Sequence, residues 1–399
     1  MGRRILILSE ATAGHVMPWV ALAGELVRRG HRVSYLTTDD YAVPLERARV
    51  EVLPFATTGE PAASPNDNAG PFDMLLWDLR ENSAIADAAK AQFADDPPDL
   101  VLYDTTAVYV GRVLSRGWQR PAVMLSVTFA EGPHYSVLRD IENRSPDGED
   151  DGYLPGLGKF TTELGSFIST HAANVKVPAE LFSTFEELTI VNLPQEFQVC
   201  GDTFDERWVF AGPFLDDRAF PGQWEPPGDD PVLLVSLGSV DYEGRQAFLQ
   251  TCVSAFSGLD WHVVICTGPQ LDPADLGSLP PNIEAHQRVP QLAILEKAKL
   301  LVSHAGTGDT MEALSVGVPI LAVPQLPVDM IAADRVGELG LGRRCPQDIS
   351  AGELRAAALE IAGDASVARA LAEMREHIKK AGGVSRAADE IETQLLTHG

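Results

Sequence analysis

Apolar residues are distributed along the chain in two patterns. Short continuous runs, such as residues 5–8, 100–103 and 122–126, are typical of strands that are buried on both faces of a parallel sheet. Longer segments between them place apolar residues at three- and four-residue spacing, which predicts helices with one buried face. The alternation of the two patterns predicts βαβ units, a parallel sheet and right-handed crossovers.

The alternation begins again in the second half, so the pattern predicts two doubly wound α/β sheets in tandem with a cleft between them. Pro18 is expected at the start of the first helix, after a loop over residues 9–16, and Gly30 at its end. The predicted strands are 5–8, 32–36, 50–55, 100–103, 122–126, 231–237, 262–266, 283–286, 300–303 and 319–323. The other predicted helices are 74–93, 107–114, 245–256, 291–296, one beginning near Met330, and the terminal helices within 352–396.

A segment rich in proline and glycine, residues 213–230, separates the two halves and is typical of a stiff linker. With 399 residues in the chain and about 150 residues in an average domain, we expect one domain over 1–212 and another over 231–380. A further segment, 145–152, has no large apolar residue and is expected to be an exposed connector.

Composition and charge limit the partners that the protein can have. Apolar residues at 45% and charged residues at 22% are ordinary for a globular protein. The formal net charge of −26 makes the surface repel polyanions, so we expect no nucleic-acid partner and no stable membrane association. A phosphate ligand would need local positive potential, which backbone N–H groups supply without a lysine.

The cysteines indicate a reducing compartment. Cys200, Cys252, Cys266 and Cys345 are widely spaced and form no C-x-x-C pair, which indicates neither a zinc site nor a disulfide framework. The first apolar run ends too early for a signal peptide, and no window approaches the ~20 apolar residues of a membrane span. We therefore expect a cytoplasmic protein.

A histidine and an aspartate follow two strands of the first predicted sheet. His15 lies at the carboxyl end of its strand, where open α/β sheets bind ligands, and an imidazole there can act as a general base. A histidine taken alone is also compatible with a structural function. Asp104 could orient the His15 ring and stabilise its protonated form, or it could cap the following helix.

The second half contains a glycine-rich turn between a predicted strand and a predicted helix. Residues 304–308 read His-Ala-Gly-Thr-Gly, and glycines let a ligand approach the backbone closely. The N–H groups at the start of the following helix would form an anion seat for a phosphate, although an ordinary βα turn also needs glycines. Ser239 could donate to a phosphate or begin a helix, and Arg288 could stack on a nucleobase or remain solvated.

Taken together, these motifs resemble one enzyme family. The matching features are His15 in its Ala-Gly-His loop, Asp104 after a strand, Ser236-Leu237-Gly238-Ser239, Val289-Pro290-Gln291, the turn 304–308 with Glu312, and Gly382-Gly383 with Arg386-Ala387-Ala388. In this order and at this spacing they are similar to the bacterial natural-product branch of the UDP-glycosyltransferase superfamily, which includes the macrolide glycosyltransferases. The resemblance spans most of the chain.

The resemblance implies a GT-B fold, in which two Rossmann-like α/β domains face each other across a cleft. It implies inverting transfer of a sugar from a nucleoside diphosphate to an acceptor hydroxyl, with no metal and no cofactor beyond the donor. The acceptor pocket would lie in the first domain and the nucleotide-sugar site in the second. The terminal helix, 381–399, would pack back on the first domain.

Individual functions carry over to this chain by position. His15 resembles the base that deprotonates the acceptor, and Asp104 resembles the carboxylate that pairs with it. The positions that resemble the donor site are Ser239, His304, Gly306, Thr307, Gly308 and Thr310 for the diphosphate, Glu312 for the ribose, Arg288, Val289 and Gln291 for the nucleobase, and Asp329 for the sugar.

Some of these positions depart from the family pattern. Arg288 stands where a tryptophan usually stacks on the base, and Thr310 replaces a serine but keeps the hydroxyl. Val328-Asp329 stands in place of an Asp-Gln pair that holds sugar hydroxyls. An unpaired buried polar group costs ~1–3 kcal/mol, so the loss of a polar contact suits a sugar with fewer hydroxyls. We therefore expect a dTDP-deoxysugar donor at least as readily as UDP-glucose.

The expected acceptor is an apolar, drug-sized aglycone such as a macrolide or another polyketide. Candidate pocket residues lie in long first-domain segments that a nucleotide site does not need, and each is also a candidate for the core. They are Met74, Leu76, Trp77, Phe129, His134, Tyr135 and Phe160.

Other functions remain compatible with the sequence. A sugar-nucleotide epimerase on the same fold would act on nucleotide sugar alone and would need no apolar acceptor pocket. A non-catalytic subunit could bind nucleotide sugar and support a partner, although the intact His15 and Asp104 argue against it. The sequence leaves open the identity of the aglycone and the choice between a monomer and a homodimer.

Overall fold

The computed structural model of the protein describes residues 2–58, 71–144, 157–172, 175, 185–215, 222–238, 242 and 244–397. For residues 71–74, 142 and 157 it describes the backbone only. The predicted connector 145–152 and the predicted donor residue Ser239 lie outside the described residues.

The chain divides into two compact units. Among the described residues, unit 1 takes in those within 2–136, 157–215 and 381–397, and unit 2 takes in those within 137–144 and 222–380. Each unit is built around one parallel sheet with helices.

The secondary structure alternates between strands and helices, as the hydrophobic pattern predicts. The strands are β1 (Arg4–Leu8), β2 (Arg32–Thr37), β3 (Glu51–Pro54), β4 (Leu100–Asp104), β5 (Ala122–Ser126), β6 (Thr189–Val191), β7 (Trp208–Phe210), β8 (Val232–Ser236), β9 (His262–Cys266), β10 (Ile283–His286), β11 (Ala298–Ser303), β12 (Ile320–Ala322) and β13 (Gly342–Arg344). The helices are α1 (Ala13–Arg28), α2 (Ala42–Arg47), α3 (Pro71–Phe93), α4 (Val108–Trp118), α5 (Val137–Arg144), α6 (Leu157–His171), α7 (Arg245–Phe256), α8 (Gln291–Leu295), α9 (Thr307–Val316), α10 (Pro327–Glu338), α11 (Ala351–Ala362), α12 (Ala365–Ala381) and α13 (Gly383–Thr397).

The sheet of unit 1 has seven parallel strands in the order β3-β2-β1-β4-β5-β6-β7. The strand order reverses direction between β1 and β4, which is where doubly wound sheets open a crevice at the carboxyl ends of their strands. Leu8 pairs with Tyr103 across this point. The residues after β1 and the last residue of β4, Asp104, therefore leave the sheet side by side.

The sheet of unit 2 has six parallel strands in the order β10-β9-β8-β11-β12-β13. Its reversal lies between β8 and β11, where Ser236 pairs with Ser303. The chain segments that follow these two serines leave the same edge of the sheet. Both sheets are thus doubly wound, and the predicted fold class is confirmed.

Helices cover the sheet of unit 1 with apolar side chains. The core on one side of β1 and β4 is formed with α3 and α4, and it includes Leu6, Leu8, Val101, Tyr103, Ile85, Ala86, Ala89, Val110 and Leu114. Burying such side chains contributes about 1.5–3 kcal/mol each for the larger ones. This packing fixes α3 and α4 over the strand ends that carry the candidate site.

The start of α1 differs from the prediction. The helix begins at Ala13, so Pro18 lies inside it and the predicted loop over residues 9–16 is wrong in its second half. Thr12 is the N-cap residue, and its carbonyl accepts a hydrogen bond from the N–H of His15 at 3.1 Å. Pro18 costs the helix the hydrogen bond to the carbonyl of Gly14, and α1 continues past it. His15 therefore lies in the first turn of a helix.

Several short elements are missing from the prediction. Strands β6, β7 and β13 have three residues each, which is too short for a periodic pattern to show. Helix α7 and strands β9 and β10 begin and end at the predicted residues. In the described part of the chain, no helix has both the length and the apolar character that crossing a membrane requires.

Helix α5 comes from the first half of the sequence but belongs to unit 2. Arg144 pairs with Asp140 within α5 at 2.7 Å and also with Asp334 of α10. Asp334 makes a second ion pair, with Arg344 of β13, at 2.5 Å. Unit 2 is therefore assembled from two separate stretches of the chain.

Helix α13 belongs to unit 1, where it lies against α1. Arg29, the C-cap residue of α1, reaches Asp389 at 2.6 Å and Glu392 at 2.7 Å, and also pairs with Glu25 at 2.9 Å. His31 adds a contact to Glu392 at 3.0 Å. The terminal helix is thus held to the helix that carries His15.

Packing of α4 on β4 can be tested at a glycine. A Cβ at Gly111 would lie 2.2 Å from Cγ of the fully buried Tyr103. We expect Gly111→Ala to lower the free energy of unfolding by about 1–3 kcal/mol, because helix and strand would have to separate. Gly117→Ala in the same helix is the control, since nothing lies within 4 Å of the added Cβ; it should raise stability by ~1 kcal/mol or less. Denaturant unfolding measures both, and equal stability would contradict the packing described.

Candidate active site

The predicted base and its predicted partner lie in direct contact. His15 Nδ1 is 2.7 Å from Asp104 Oδ1. The His15 side chain is 25% exposed, whereas that of Asp104 is fully buried. Because Nδ1 faces the carboxylate, Nε2 is the ring nitrogen that can take a proton from a ligand.

Asp104 accepts hydrogen bonds from further groups as well. Trp19 Nε1 donates to Oδ2 at 2.9 Å, while the N–H and the hydroxyl of Thr106 donate to Oδ1 at 3.0 and 2.9 Å. The Thr106 N–H bond caps the short 3-10 turn that follows β4. Asp104 therefore caps the next turn and contacts His15 at the same time, so the cap does not exclude the pairing with His15.

The surroundings shift the pKa of both groups towards the ion pair. Burial raises the pKa of Asp104, but the charge and hydrogen bond of His15 and the bonds from Thr106 and Trp19 outweigh it and leave that pKa below its usual value. Burial lowers the pKa of His15, but the charge and hydrogen bond of Asp104, with a smaller contribution from Asp78, leave it above its usual value. A base with a raised pKa holds an abstracted proton more firmly.

In unit 2, glycines make room for a histidine. A Cβ at Gly306 would lie 2.3 Å from His304 Nε2, and a Cβ at Gly238 would lie 2.7 Å from His304 Cε1. Gly238 also has a φ of +68°, in the left-handed region. By contrast, nothing lies within 4 Å of a Cβ at Gly308, so of these three glycines Gly308 alone leaves open space. From the sequence, these glycines are expected to let a ligand approach the backbone. The structure shows that Gly238 and Gly306 also make room for the imidazole ring of His304.

The bend from β11 into α9 contains a strained residue. Ala305 is fully buried and has a φ of +67°, which costs an L-residue roughly 1–2 kcal/mol. Its N–H donates to Ser303 Oγ at 3.1 Å. Strain of this kind persists where the surrounding structure determines the backbone, and here it directs the chain from the strand into the helix.

The first turn of α9 presents unpaired donors. Among the described residues, the N–H groups of Thr307, Gly308 and Asp309 have no hydrogen-bond acceptor within the helix. The N–H of Thr310 makes the first such bond, to the carbonyl of Gly306 at 3.0 Å. The Thr310 hydroxyl is buried and has no hydrogen-bond partner in the described residues. These donors and the positive end of the helix dipole suit an anion.

Asp309 is a centre of polar contacts that the sequence did not indicate. Its carboxylate accepts from Gln291 Nε2 at 2.9 Å and from Ser236 Oγ at 3.2 Å, and it lies 3.6 Å from His304 Nδ1. Gln291 Nε2 also donates to Glu312 Oε2 at 3.0 Å. Burial and the charge of Asp309 raise the pKa of Glu312 to about 8. The predicted nucleobase residue Gln291 therefore contacts both Asp309 and the predicted ribose residue Glu312.

The remaining predicted donor residues differ in their surroundings. Asp329 Oδ2 accepts from the N–H of Leu326 at 3.0 Å, so this carboxylate caps the start of α10. It is 6% exposed, and burial raises its pKa. Arg288 is exposed and Val289 is half-buried, next to Gln291 at the start of α8. Their contact with a donor stays a prediction.

The predicted acceptor residues also fall into different environments. Leu76, Phe129 and Tyr135 are buried, Trp77 and Phe160 are half-buried, His134 is exposed, and the Met74 side chain lies outside the described residues. Phe129 stacks on Phe197 with ring centroids 5.7 Å apart, and Phe160 packs against a cluster around Phe167. These contacts are those of core residues, and contact with an acceptor stays a prediction for each.

Sequence reasoning missed Trp19 and Thr106 as partners of Asp104. Trp19 lies four residues after His15, so the two side chains share one face of α1. A helix start at Ala13 would have shown this relation, whereas a start at Pro18 hides it. Thr106 follows Asp104 at the spacing at which an aspartate bonds the backbone two residues on, which is a recognisable turn signal.

Comparison with known proteins gives consistent matches. Residues 250–385 match the family model of the erythromycin biosynthesis protein CIII-like C-terminal domain. The chain is 36% identical to NDP-glycosyltransferase YjiC of Bacillus licheniformis, with 100% of this chain and 99% of the relative aligned. It is 36% identical to the oleandomycin glycosyltransferase of Streptomyces antibioticus, with 98% and 90% aligned. The crystal structure of CalG4, the calicheamicin glycosyltransferase, matches with 37% identity and a TM-score of 0.83 over 99% of this chain and 98% of that one.

The contact between His15 and Asp104 predicts a titration behaviour. Because the pKa of His15 is raised in the folded protein, protonation of His15 stabilises the fold. This stabilisation is fully present below the unfolded pKa of ~6.5 and is lost as the pH rises through the folded pKa. In Asp104→Asn, burial is left as the main influence, so we expect the pKa of His15 to fall below 6.5. NMR titration of the ring C–H signals measures this. An unchanged pKa in the variant would contradict the pairing.

Proposed function

This chain belongs to the natural-product glycosyltransferases of the GT-B fold, and we propose that it is an inverting, metal-independent enzyme acting on an apolar aglycone. In the proposed reaction a sugar passes from a nucleoside diphosphate to a hydroxyl group of the acceptor. The observation that carries the proposal is the 2.7 Å contact between His15 and the buried Asp104. The names of the relatives favour sugar transfer over epimerisation and over a non-catalytic subunit.

His15 acts as the general base. Its Nε2 takes the proton from the acceptor hydroxyl as the oxygen attacks the anomeric carbon, and Asp104 stabilises the imidazolium that forms. The bond from the anomeric carbon to the diphosphate oxygen breaks on the opposite face, so the configuration inverts. The partial exposure of His15, which leaves its ring accessible to a ligand, supports this function. The Asp104 carboxylate beside it is fully buried, so water cannot replace the imidazole as its partner.

The departing diphosphate is stabilised by the start of α9. The N–H groups of Thr307 and Gly308 point from the free end of the helix, and the Thr310 hydroxyl and the His304 ring supply further donors. Fixed donors of this kind stabilise the charge that develops on a leaving group, as a metal ion does in other enzymes. Transfer that persists in EDTA would support the metal-independent part of the proposal.

The nucleoside is bound by residues around Asp309. Glu312 accepts from the ribose hydroxyls, and Val289 with Gln291 flanks the base, with Arg288 available to stack on it. The hydrogen bonds of Gln291 to Asp309 and Glu312 hold these groups in one arrangement before the ligand arrives. Such preorganisation lowers the entropy cost of binding.

The sugar is a dTDP-linked deoxysugar in our proposal. The Asp329 carboxylate is directed at the backbone N–H of Leu326, so it has less capacity left for sugar hydroxyls. Its neighbour Val328 is apolar. A sugar with fewer hydroxyls leaves fewer buried polar groups unpaired in such a site.

Removal of the base tests the proposed mechanism. We expect His15→Ala to lower turnover by about 10²-fold or more, because general base catalysis contributes on that scale. Donor binding, measured by calorimetry, should persist, since His15 lies in unit 1 and the proposed donor residues lie in unit 2. The anomeric proton coupling of the product reports inversion.

A matched substitution controls for the loss of a histidine as such. His377→Ala, in α12, removes a histidine that has no assigned function in the reaction. Its turnover should stay within about twofold of the unchanged protein, because the half-buried His377 lies outside the proposed catalytic contacts. Undiminished transfer by His15→Ala, or a product with retained configuration, would refute the proposed mechanism.

The donor can be identified with matched nucleotide sugars. We expect kcat/KM to be highest for dTDP-deoxysugars in a panel that pairs UDP- and dTDP-linked glucose with their deoxy counterparts. Restoring polar capacity with Val328→Asp should shift the preference towards glucose, because a new carboxylate could accept from an additional hydroxyl. A clear preference of the unchanged protein for UDP-glucose would contradict the deoxysugar proposal.

A further inference from the structure

The two oxygens of the Asp104 carboxylate accept hydrogen bonds from different donors. Oδ1 accepts from His15 Nδ1 at 2.7 Å and from groups of Thr105 and Thr106. Among the described residues, Oδ2 accepts from one donor, the indole N–H of Trp19, at 2.9 Å. Because Asp104 is fully buried, bulk water does not reach Oδ2 in place of that donor. The indole therefore satisfies the oxygen that His15 leaves free.

Helix α1 brings both rings to this carboxylate. Trp19 lies one turn after His15 and is fully buried. Residues four apart on a helix share one face, so the imidazole and the indole reach Asp104 from the same helix. The imidazole contacts Oδ1 and the indole contacts Oδ2. A rotation of the carboxylate that moved Oδ1 away from His15 would therefore also break the bond to Trp19.

Phe214 packs on the indole ring. The ring centroids of Trp19 and Phe214 are 5.7 Å apart, and the interplanar angle is 57°. Phe214 follows β7, is buried, and its N–H donates to Asn192 Oδ1 at 2.7 Å. A Cβ at Gly212 would lie 2.0 Å from the carbonyl carbon of Asn192, so the chain just before Phe214 packs directly on that residue. Backbone contacts thus fix Phe214, and its ring in turn limits the rotation of the indole.

The bond from the indole also affects the charge that His15 meets. Each hydrogen bond that a carboxylate accepts stabilises its ionised form and reduces the attraction that it exerts on a neighbouring cation. Without the indole N–H, more of the charge of Asp104 would be left for His15 to neutralise, and the imidazolium would be held more firmly. His15 would then become neutral, and able to accept a proton, only at a higher pH.

We propose that Trp19 is a positioning residue for the glycosyl transfer proposed above, and that its indole N–H sets the lower pH limit of that reaction by fixing Asp104. The proposal rests on the function of His15 as the base, and it gives Trp19 no contact with the acceptor or the donor. Phe214 acts one step further away, because it keeps the indole in place. Helix α1 thus supplies both the base and a restraint on the carboxylate that supports it.

Other titratable groups lie on the elements around His15 and Asp104. The charge of Asp78, on α3, contributes to the raised pKa of His15. Burial raises the pKa of Glu10, which follows β1, to about 10, and it also raises the pKa of Tyr35 on β2. These groups are the same in every variant described below, so a difference between variants reports the loss of the indole contact.

Removal of the indole N–H tests the proposal. In Trp19→Phe we expect the pKa of His15, followed by NMR titration of its ring C–H signals, to rise by about half a unit or more. The acidic limb of the pH profile of kcat/KM should move upward by the same amount. Replacement of Trp19 by β-(3-benzothienyl)alanine, in which sulfur takes the place of the N–H at nearly the same ring size, should shift both in the same direction. This second variant keeps the test valid if the smaller phenyl ring weakens the fold.

The contact between the rings can be tested separately. Phe214→Leu should give a smaller shift in the same direction, because the indole keeps its N–H but loses the ring that restrains it. In the background of Trp19→Phe, the same change should add no further shift, since both residues act through one contact. Shifts that add in the double variant would contradict a path through the indole.

Another buried tryptophan of unit 1 provides the control. Trp208, on β7, donates its indole N–H to the carbonyl of Glu131 at 3.1 Å. Trp208→Phe removes the same ring and a bond that does not involve Asp104, so it should leave the pKa of His15 unchanged. An unchanged pKa in both variants of Trp19, or an equal shift in Trp208→Phe, would overturn the proposal. A shifted titration of His15 in a protein that transfers no sugar would support the positioning function and count against the proposed reaction.

Discussion

The parallel pairing of β1 with β4 is the constraint on which the candidate site of unit 1 depends. With Leu8 opposite Tyr103, the chain that leaves β1 and the last residue of β4 emerge at one point. The pairing of Ser236 with Ser303 repeats this arrangement in unit 2. In each unit the strand order reverses between these strands, so no helix crosses over that point and polar side chains can gather there.

The buried charge of Asp104 makes the site sensitive to its neighbours. A carboxylate taken out of water costs several kcal/mol unless donors surround it. His15, Trp19 and Thr106 are these donors, and they are placed by α1 and by the turn after β4. The same contacts that stabilise the ionised Asp104 also fix the imidazole ring in one orientation. Stability of the fold and orientation of the proposed base thus have the same origin.

Local sequence patterns were sufficient for ten of the thirteen described strands and for the contact of His15 with Asp104, because apolar runs and strand ends are local signals. They failed at Pro18, since a proline inside a helix is rarer than one at its start. The contacts of Asp309 were also missed. They join residues whose side chains meet only after folding, which no periodicity of the sequence records.

The membership of α5 in unit 2 has a consequence for how such enzymes can be recombined. A chimera joined once, at the proline-rich segment after β7, would bring α5 from one parent and α10 from the other. The pairing of Arg144 with Asp334 would then have to be present in both parents for the surfaces to match. Unit 2 is therefore encoded by two separate stretches of sequence. A chimera that takes the whole of unit 2 from one parent needs additional junctions on both sides of α5.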